Sequence, residues 1–384
     1  MSQARRATLC FRLDTVWVKS TMDAVTVLLG SVLLVAVVFG AAAQFSRVCL
    51  PGGLREWVLD GKRSRISAYL IAIGAAVFFT ALLQAFAGLD LNDTKPPYRS
   101  PQFAWGRYML GGFIFGVGMV MMRGCPARNL VKLGQGNLQS LPVLIVVALT
   151  AYVMTRTPVY AEWFAPWVGV LSLDLTRFGI AHQDLASLFG GDMGMSVVLG
   201  VLIAVAFWWV AAQWLQFRQG VGVWLGASLV GLMVALGYAL TSGRLGQAAQ
   251  EAAELMDTPP EGLGVQSFTF SAPLGDLVHF LGHSSATTIT FGVVAVVGVL
   301  LGAWVSAMVR REFKLIPFGN LREWFITMSG AVMAGVGSVL AMGCTVGQGF
   351  SGVASLALGS FVALAAIVAG GVVAHKMSVV WAGN

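Results

Sequence analysis

Nine apolar stretches run along the chain, at about 22–44, 66–89, 106–123, 139–155, 195–216, 221–241, 287–309, 324–342 and 354–375. Each approaches the ~20 residues needed to cross a bilayer core about 30 Å thick at about 1.5 Å per residue. They are apolar throughout rather than alternating, so they read as helices, which satisfy every backbone polar group inside lipid. Composition agrees: 57% of the 384 residues are hydrophobic and 11% charged, and the mean hydropathy is +0.79. A soluble domain carries roughly 25% charged residues, so a soluble globular chain and a disordered one are both excluded. The net charge of +7 gives no ground for a nucleic-acid binder, because the basic residues fall in short clusters between apolar runs. The expected fold is an all-α, multi-pass protein of the inner (cytoplasmic) membrane, surrounded by lipid bilayer. No cleavable signal peptide is expected, since the first run is long enough to span and lacks a small-residue cleavage site.

Lys and Arg concentrate in cytoplasmic loops. With the N-terminus outside and the C-terminus inside, the inner loops hold Arg47, Arg55, Lys62, Arg63 and Arg65, then Arg123, Arg128 and Lys132, then Arg218, and finally Arg310, Arg311, Lys314 and Arg322. Two polar inserts, 156–194 and 242–286, then face outward. The second carries Glu251, Glu254, Asp257, Glu261 and Asp276 together with Pro259-Pro260. The basic tail 1–21, with Arg5, Arg6, Arg12 and Lys19, argues for the opposite orientation.

The chain repeats itself. Gly111–Cys125 reads GGFIFGVGMVMMRGC and Gly330–Cys344 reads GAVMAGVGSVLAMGC, with seven identities over fifteen positions at an offset of 219. A fainter pair aligns 40–49 (GAAAQFSRVC) with 237–246 (GYALTSGRLG), so that Gly246 stands where Cys49 does. Each half holds four spans, and one span at about 195–216 lies between them. Four spans return the chain to its starting side and the fifth carries it across, so the second half begins inverted. This divides the chain into a tail 1–21, a first repeat 22–155, a linker with the connecting span 156–220, a second repeat 221–375 and a tail 376–384. Inverted repeats place a pathway near the bilayer midplane at their interface.

Four stretches between spans are too short to cross: about 46–60, 124–137, 244–257 and 343–353. Irregular backbone at membrane depth is tolerated where it is buried in protein or lines a cavity, so these read as re-entrant half-helices meeting near the centre. Gly124-Cys125 and Gly343-Cys344 fall at such breaks, just before a short helix starts, where free N–H groups and the positive dipole end favour an anion. A lone cysteine in a membrane helix is usually a small hydrophobe, but Cys125 and Cys344 occupy equivalent repeat positions. Cys49 sits in a matching break two residues after Arg47, and Cys10 has no repeat partner. Gly111, Gly116, Gly118, Gly330, Gly335 and Gly337 read as close helix contacts, whereas Gly124 and Gly343 read as backbone freedom at the break. The centres of the spans are almost devoid of Asp and Glu, and Arg47, Arg123, Arg128, Lys132 and Arg244 flank the breaks. The ligand expected is an anion with an affinity for sulfur. The cysteines are expected to stay protonated, since thiolates would repel it. A Cu(I)-like soft-metal conduit built from Cys and Met, a membrane thiol oxidoreductase and a purely structural bundle are the competing readings. The first lacks central carboxylates and the second lacks a CxxC pair.

Gly-Val-Gly-x-Val-x-x-x-Gly-Cys, at 116–125 and again at 335–344, together with Ser46-Arg47-Val48-Cys49, resembles the YeeE/YedE membrane family across nearly the whole chain. The resemblance implies an hourglass-shaped bundle of about nine transmembrane helices and four short re-entrant half-helices. Its constriction would be lined by Cys49, Cys125 and Cys344, with Gly124, Gly343, Arg47 and Arg123 along the substrate pathway. It further implies import of thiosulfate, or a closely related sulfur or selenium oxyanion, passed between thiols through transient S–H···S contacts without cleavage. A TusA-like sulfur carrier protein would receive the ion on the cytoplasmic side. The chain departs from the family pattern in its acidic 242–286 insert and the lack of a fused carrier domain. A transporter of this kind is not an enzyme, and no cofactor or metal is expected.

Overall fold

The computed structural model describes residues 3–214, 217–256, 259–285, 288–317 and 321–382, with side chains for 24–214, 220–256, 259–285, 288–317 and 323–378. Asp257 and the side chains of Arg218, Arg322 and the expected 1–21 tail, Cys10 among them, lie outside what is described. The first half comprises α1 (Gln3–Ser46), α2 (Leu50–Asp60), α3 (Ser64–Ala87), α4 (Trp105–Met121), α5 (Pro126–Gly134) and α6 (Ser140–Arg156). Short helices α7 (Ala165–Val170) and α8 (Leu185–Leu188) lead to α9 (Met193–Trp214). The second half comprises α10 (Phe217–Ser242), α11 (Arg244–Glu254), α12 (Ser271–Gly282), α13 (Phe291–Val309), α14 (Leu321–Leu340), a π segment at Gly347–Gly352 and α15 (Leu358–Ala382). A two-residue antiparallel ribbon, Gln102–Phe103 with Leu173–Asp174, is the one named sheet among the described residues.

The protein is an all-α integral membrane protein. Eight helical stretches are long and apolar enough to cross a membrane, and a ninth follows if α6 and the helix at Tyr160–Val170, bent by 72°, count as one span. These fall where the apolar runs lie in sequence, with differences at the ends: α1 already begins at Gln3, so the basic tail continues the first span, and α15 runs on through 376–382. Two helices end where glycine takes up the left-handed backbone that stops a helix, at Gly61 (φ 66°) after α2 and Gly88 (φ 61°) after α3.

The repeat has a direct packing consequence. A β-carbon built on Gly118 of α4 would stand 2.6 Å from the Ala334 nitrogen and 2.7 Å from the Gly330 oxygen of α14. A β-carbon on Gly337 would meet Phe115 N and Gly111 O in the same way. Gly118 pairs with Gly337 across the repeat, Gly111 with Gly330 and Phe115 with Ala334, so each contact is exchanged for its equivalent. Gly111 in turn lies against Leu340 and Ala341, so the two helices run antiparallel. Antiparallel helices that exchange equivalent contacts are related by a two-fold axis perpendicular to their length, the isologous geometry of a C2 interface within one chain. The wider packing follows suit: α1 lies on α13 as α10 lies on α3, and α4 lies on α15 as α14 lies on α6. The connecting helix α9 packs mainly on α3, at the periphery.

The connections sort onto two faces. On one, Arg47 reaches Glu312 at 3.5 Å and Asn137 bridges Ile316; this basic face also bears Lys62, Arg63 and Arg65. On the other, Thr94 bridges Val265, Asp184 bridges Ala357, and Arg156 pairs with Glu261 at 2.8 Å; this is the acidic face. Part of the 242–286 insert is core: Ser267–Ser271 and Pro273–Gly275 are buried in the bundle. Phe268 stacks on Phe39 of α1 with ring centroids 4.9 Å apart.

Filling the glycine crossing forces backbone apart, which costs about 1–3 kcal/mol in a packed core. Gly118→Ala and Gly337→Ala should therefore each lower the melting temperature of the purified protein in detergent, and by similar amounts. Gly30→Ala, where nothing lies within 4 Å of the added carbon, should leave it unchanged or raise it.

Candidate functional site

Cysteine begins three of the four short helices at the centre. Cys49 precedes α2 in extended conformation (φ −164°), and its sulfur accepts from Gly52 N at 3.4 Å. Cys125 precedes α5 (φ −75°, ψ 169°), with Pro126 in the first turn, where a missing N–H is harmless. Cys344 precedes the helical turn at 345–354 that contains the π segment. The fourth short helix, α11, begins at Gly243 rather than at Gly246, which lies inside it. The break after α10 is thus two residues shorter than the break after α1, and it offers no thiol.

The approach to each cysteine is alike. The residue two positions earlier takes left-handed backbone: Arg47 (φ 53°), Arg123 (φ 59°) and Met342 (φ 59°). At the two repeat breaks the end of the preceding helix is closed identically. Gly124 N donates to Met119 O at 2.9 Å and Arg123 N to Val120 O at 3.1 Å; Gly343 N donates to Ser338 O at 2.8 Å and Met342 N to Val339 O at 3.1 Å. This is the Schellman arrangement, which usually seats glycine in the left-handed position. Here Arg123 and Met342 bear that conformation, and Gly124 follows with φ 158°, backbone that a residue with a side chain rarely adopts. Both glycines also make room. A β-carbon on Gly124 would lie 3.3 Å from Asn129 Nδ2, and one on Gly343 would lie 3.2 Å from Gln348 Cγ. Asn129 and Gln348, themselves repeat equivalents, fold back to donate to the carbonyls of Gly124 and Cys125 (3.2 Å each) and of Ala341.

The three thiols come together in the interior. Cys344, Cys125 and Cys49 are 0%, 4% and 8% exposed, and all three are free. Cys125 is hydrogen-bonded to the Thr345 side chain and to the backbone of Arg128, and all three cysteines are neighbours of Tyr69. Tyr69 Oη donates to the Thr345 carbonyl at 2.7 Å, and its ring lies 5.0 Å from that of Phe350. A small cavity of about 30 Å³ is lined by Cys49, Cys125, Tyr69, Phe39, Arg128, Thr345, Val346 and Phe350. At roughly 10–15 Å³ per water it holds about two.

The two arginines expected on the pathway do not line this cavity. Arg47 is drawn to Glu312, and Arg123 pairs with Glu323 at 3.0 Å, both with more than half of the side chain exposed on the basic face. Arg128 lines the cavity instead, and its Nη1 is buried without a partner among the described residues. The sequence signal was available: Arg128 stands three residues after Cys125 on α5, hence on the same helix face. Tyr69 and Phe39 carry no such signal, since each is one aromatic residue within an apolar span. A second cavity of about 60 Å³, lined by Arg123, Asn129, Lys132, Ser140 and Glu323, lies toward the basic face. Among the described residues no three His, Cys, Asp or Glu are grouped to hold a metal ion.

Paired glycine-cysteine breaks frame a cysteine-lined centre, and residues 45–373 match the family described as Sulphur transport. The chain belongs to that family. Two relatives are each named Thiosulfate transporter TsuA. The one from Escherichia coli (strain K12) is 25% identical over 339 residues, covering 83% of this chain and 85% of its own. The one from Spirochaeta thermophila (strain ATCC 700085 / DSM 6578 / Z-1203) is 27% identical over 342 residues, covering 86% and 93%. Membership makes this chain a membrane transporter for sulfur rather than an enzyme.

Tyr69 ties the helix after Cys344 to α3 through one buried hydrogen bond. Tyr69→Phe leaves the Thr345 carbonyl without that donor, a loss of about 1–3 kcal/mol. The variant should melt measurably below the wild type in detergent while still reaching the membrane.

Proposed function

We propose that this protein imports thiosulfate, or a closely related sulfur or selenium oxyanion, across the cytoplasmic membrane by way of Cys344, Cys125 and Cys49. The observation that carries the reading is the burial of three thiols, each at the start of a short helix, about one small space that Cys49 and Cys125 line together with Thr345, the residue after Cys344. Thiosulfate joins hard oxygens to a soft terminal sulfur. Neutral thiols meet the sulfur without adding charge to a dianion. Helix N-termini and Arg128 offset the negative charge at a depth where an uncompensated ion is costly. Weak thiol contacts suit transit, because conduction needs sites that release as readily as they bind. The names of the two relatives support the choice of substrate. Room for about two waters does not admit an ion of five heavy atoms, so passage requires the short helices to part.

In this reading residues 22–155 and 221–375 are inverted repeats joined through 156–220. The N-terminus is outside, the C-terminus is inside and the basic face is cytoplasmic. Gly124 and Gly343 serve the pathway by admitting Asn129 and Gln348 beneath the cysteines. Arg47 and Arg123 shape its cytoplasmic rim, where a TusA-like carrier protein takes up the ion.

In a host without its own thiosulfate uptake, Cys125→Ala and Cys344→Ala should each reduce thiosulfate uptake to near the empty-vector rate while the protein is present in the membrane. Wild-type rates in both variants would overturn the cysteine pathway. Cys344→Ser replaces a polarizable sulfur with a hard oxygen that holds water more tightly. It should be badly impaired, and sulfate should compete poorly with thiosulfate in the wild type. Near-normal uptake by the serine variant with strong sulfate competition would point to a generic anion channel instead. A membrane-impermeant maleimide applied to intact cells should modify Cys344 before Cys125 or Cys49; Cys49 reacting first would reverse the orientation.

A further inference from the structure

The cavity of about 60 Å³ toward the basic face has twice the volume of the one lined by Cys49 and Cys125. At roughly 10–15 Å³ per water it holds about four to six, which is room for an ion of five heavy atoms. Arg123, just past α4, lines it together with Asn129 and Lys132 of α5, Asn137 and Ser140 at the turn into α6, and Glu323 near the start of α14. Ser140 is the first residue of α6, so the positive end of a 17-residue helix lies at the wall.

The lining has donors to spare. Lys132 Nζ donates to the Arg123 carbonyl, which uses one of its three N–H bonds, and it forms no ion pair among the described residues. Asn137 Oδ1 accepts from Gln139 N at 3.0 Å, while its amide nitrogen has no partner among the described residues. Two cations, Lys132 and Arg123, face one carboxylate, Glu323. Arg123 and Glu323 pair at 3.0 Å with more than half of each side chain exposed, so the pair stands at the mouth of the cavity. So exposed an ion pair contributes little, and a dianion can displace its carboxylate.

Helix α5 links this cavity to the thiols. Cys125 precedes the helix, Arg128 lines the space beside Cys49 and Cys125, and Lys132 follows about one turn later, roughly 6 Å further along the axis. Lys132 is a neighbour of Cys49, Cys125, Arg128 and Arg123. Asn129 lines the larger cavity while its Nδ2 holds the Gly124 and Cys125 carbonyls, so one side chain belongs both to the cavity wall and to the cysteine break. No cysteine lines the larger cavity among the described residues.

We infer that this cavity is a second oxyanion site, between Cys125 and the basic face, in which Lys132 and Arg123 hold a small tetrahedral dianion and Glu323 competes with that ion for Arg123. As the outlet of the transport path the site rests on the thiosulfate reading and deepens it. The thiols select for sulfur, and the cavity takes the selected ion by charge and size. Glu323 keeps the hold weak enough for the ion to leave, as conduction requires.

Thermal-shift titrations of the purified full-length protein with sodium sulfate and with sodium thiosulfate, at ionic strength held constant with sodium chloride, test the site. Sulfate reports this cavity by itself, because its oxygens find no soft partner at the thiols. Both ions should stabilise the wild type. Lys132→Gln should raise the apparent Kd for sulfate about ten- to a hundredfold, the range of one charged hydrogen bond. Lys132→Arg keeps the charge and should fall between the two. Glu323→Gln removes the competing carboxylate and should lower the Kd several-fold. An unchanged Kd in Lys132→Gln, an unchanged or higher Kd in Glu323→Gln, or stabilisation by thiosulfate without any by sulfate overturns the site. If Lys132→Gln does not fold, Glu323→Gln, which alters an exposed side chain, decides alone. Thiosulfate uptake by cells separates the two readings. Wild-type uptake with sulfate binding indifferent to Lys132 and Glu323 sinks the site and spares the function. Sulfate binding that depends on them, in a protein that moves no thiosulfate, sinks the function and spares the site.

Discussion

A helix that stops halfway through a bilayer leaves four carbonyls at its end, and one that starts there leaves four N–H groups, with little water to meet either. The centre of this protein is organised by that requirement. The carbonyl ends are closed from within: Schellman hydrogen bonds finish α4 and α14, and Asn129, Gln348 and Tyr69 reach back to carbonyls around the breaks. The N–H ends are left comparatively open, and Cys49 caps its helix only through a 3.4 Å contact to sulfur. A fold that satisfies its acceptors strongly and its donors weakly leaves a positive lining at the midplane without placing many full charges there. That arrangement suits a protein that passes anions.

Close approach of α4 and α14 makes the breaks possible. Glycines at 111, 118, 330 and 337 bring the two backbones into contact, so the helix ends on either side of the crossing are rigidly spaced. In lipid this association draws on packing rather than on a hydrophobic difference, which is why small residues dominate it. The segment of the long insert that plunges back into the bundle completes the enclosure. Phe268 and Phe270 stand over Phe39, and the Ser351 hydroxyl donates to the Phe268 carbonyl at 2.7 Å.

Much of this was legible in the sequence because it is written in length and period. Apolar runs mark spans, and the 219-residue offset marks Cys125 and Cys344 as counterparts. What the sequence hid depends on direction rather than distance. Arg123 and Arg128 are nearly equidistant from Cys125, yet the break turns one outward to Glu323 and leaves the other against the cavity. The breaks combine two demands at neighbouring positions. Arg123 and Met342 take the left-handed backbone, and the glycine that follows leaves space beside Asn129 or Gln348, with Gly124 also holding a φ of 158° that side-chain residues rarely adopt. The burial of Ser267–Ser271 was hidden for another reason: serine and threonine alternating with phenylalanine between proline and charge reads as loop, and only tertiary hydrogen bonds make it core.

The helix that begins at Gly243 instead of at a cysteine breaks the symmetry of the scaffold. Under a perfect two-fold, a solute would meet the same sequence of contacts from either side. With one thiol missing, the first half contributes two buried thiols and the second half one, so the groups met differ between the two directions of approach. Such a difference alters how readily each face saturates. By microscopic reversibility it does not set a net direction at equilibrium, and a lopsided set of contacts cannot act as a pump. Accumulation on one side then has to come from something outside this arrangement of residues: a gradient, a membrane potential, or a reaction that removes the solute as it emerges.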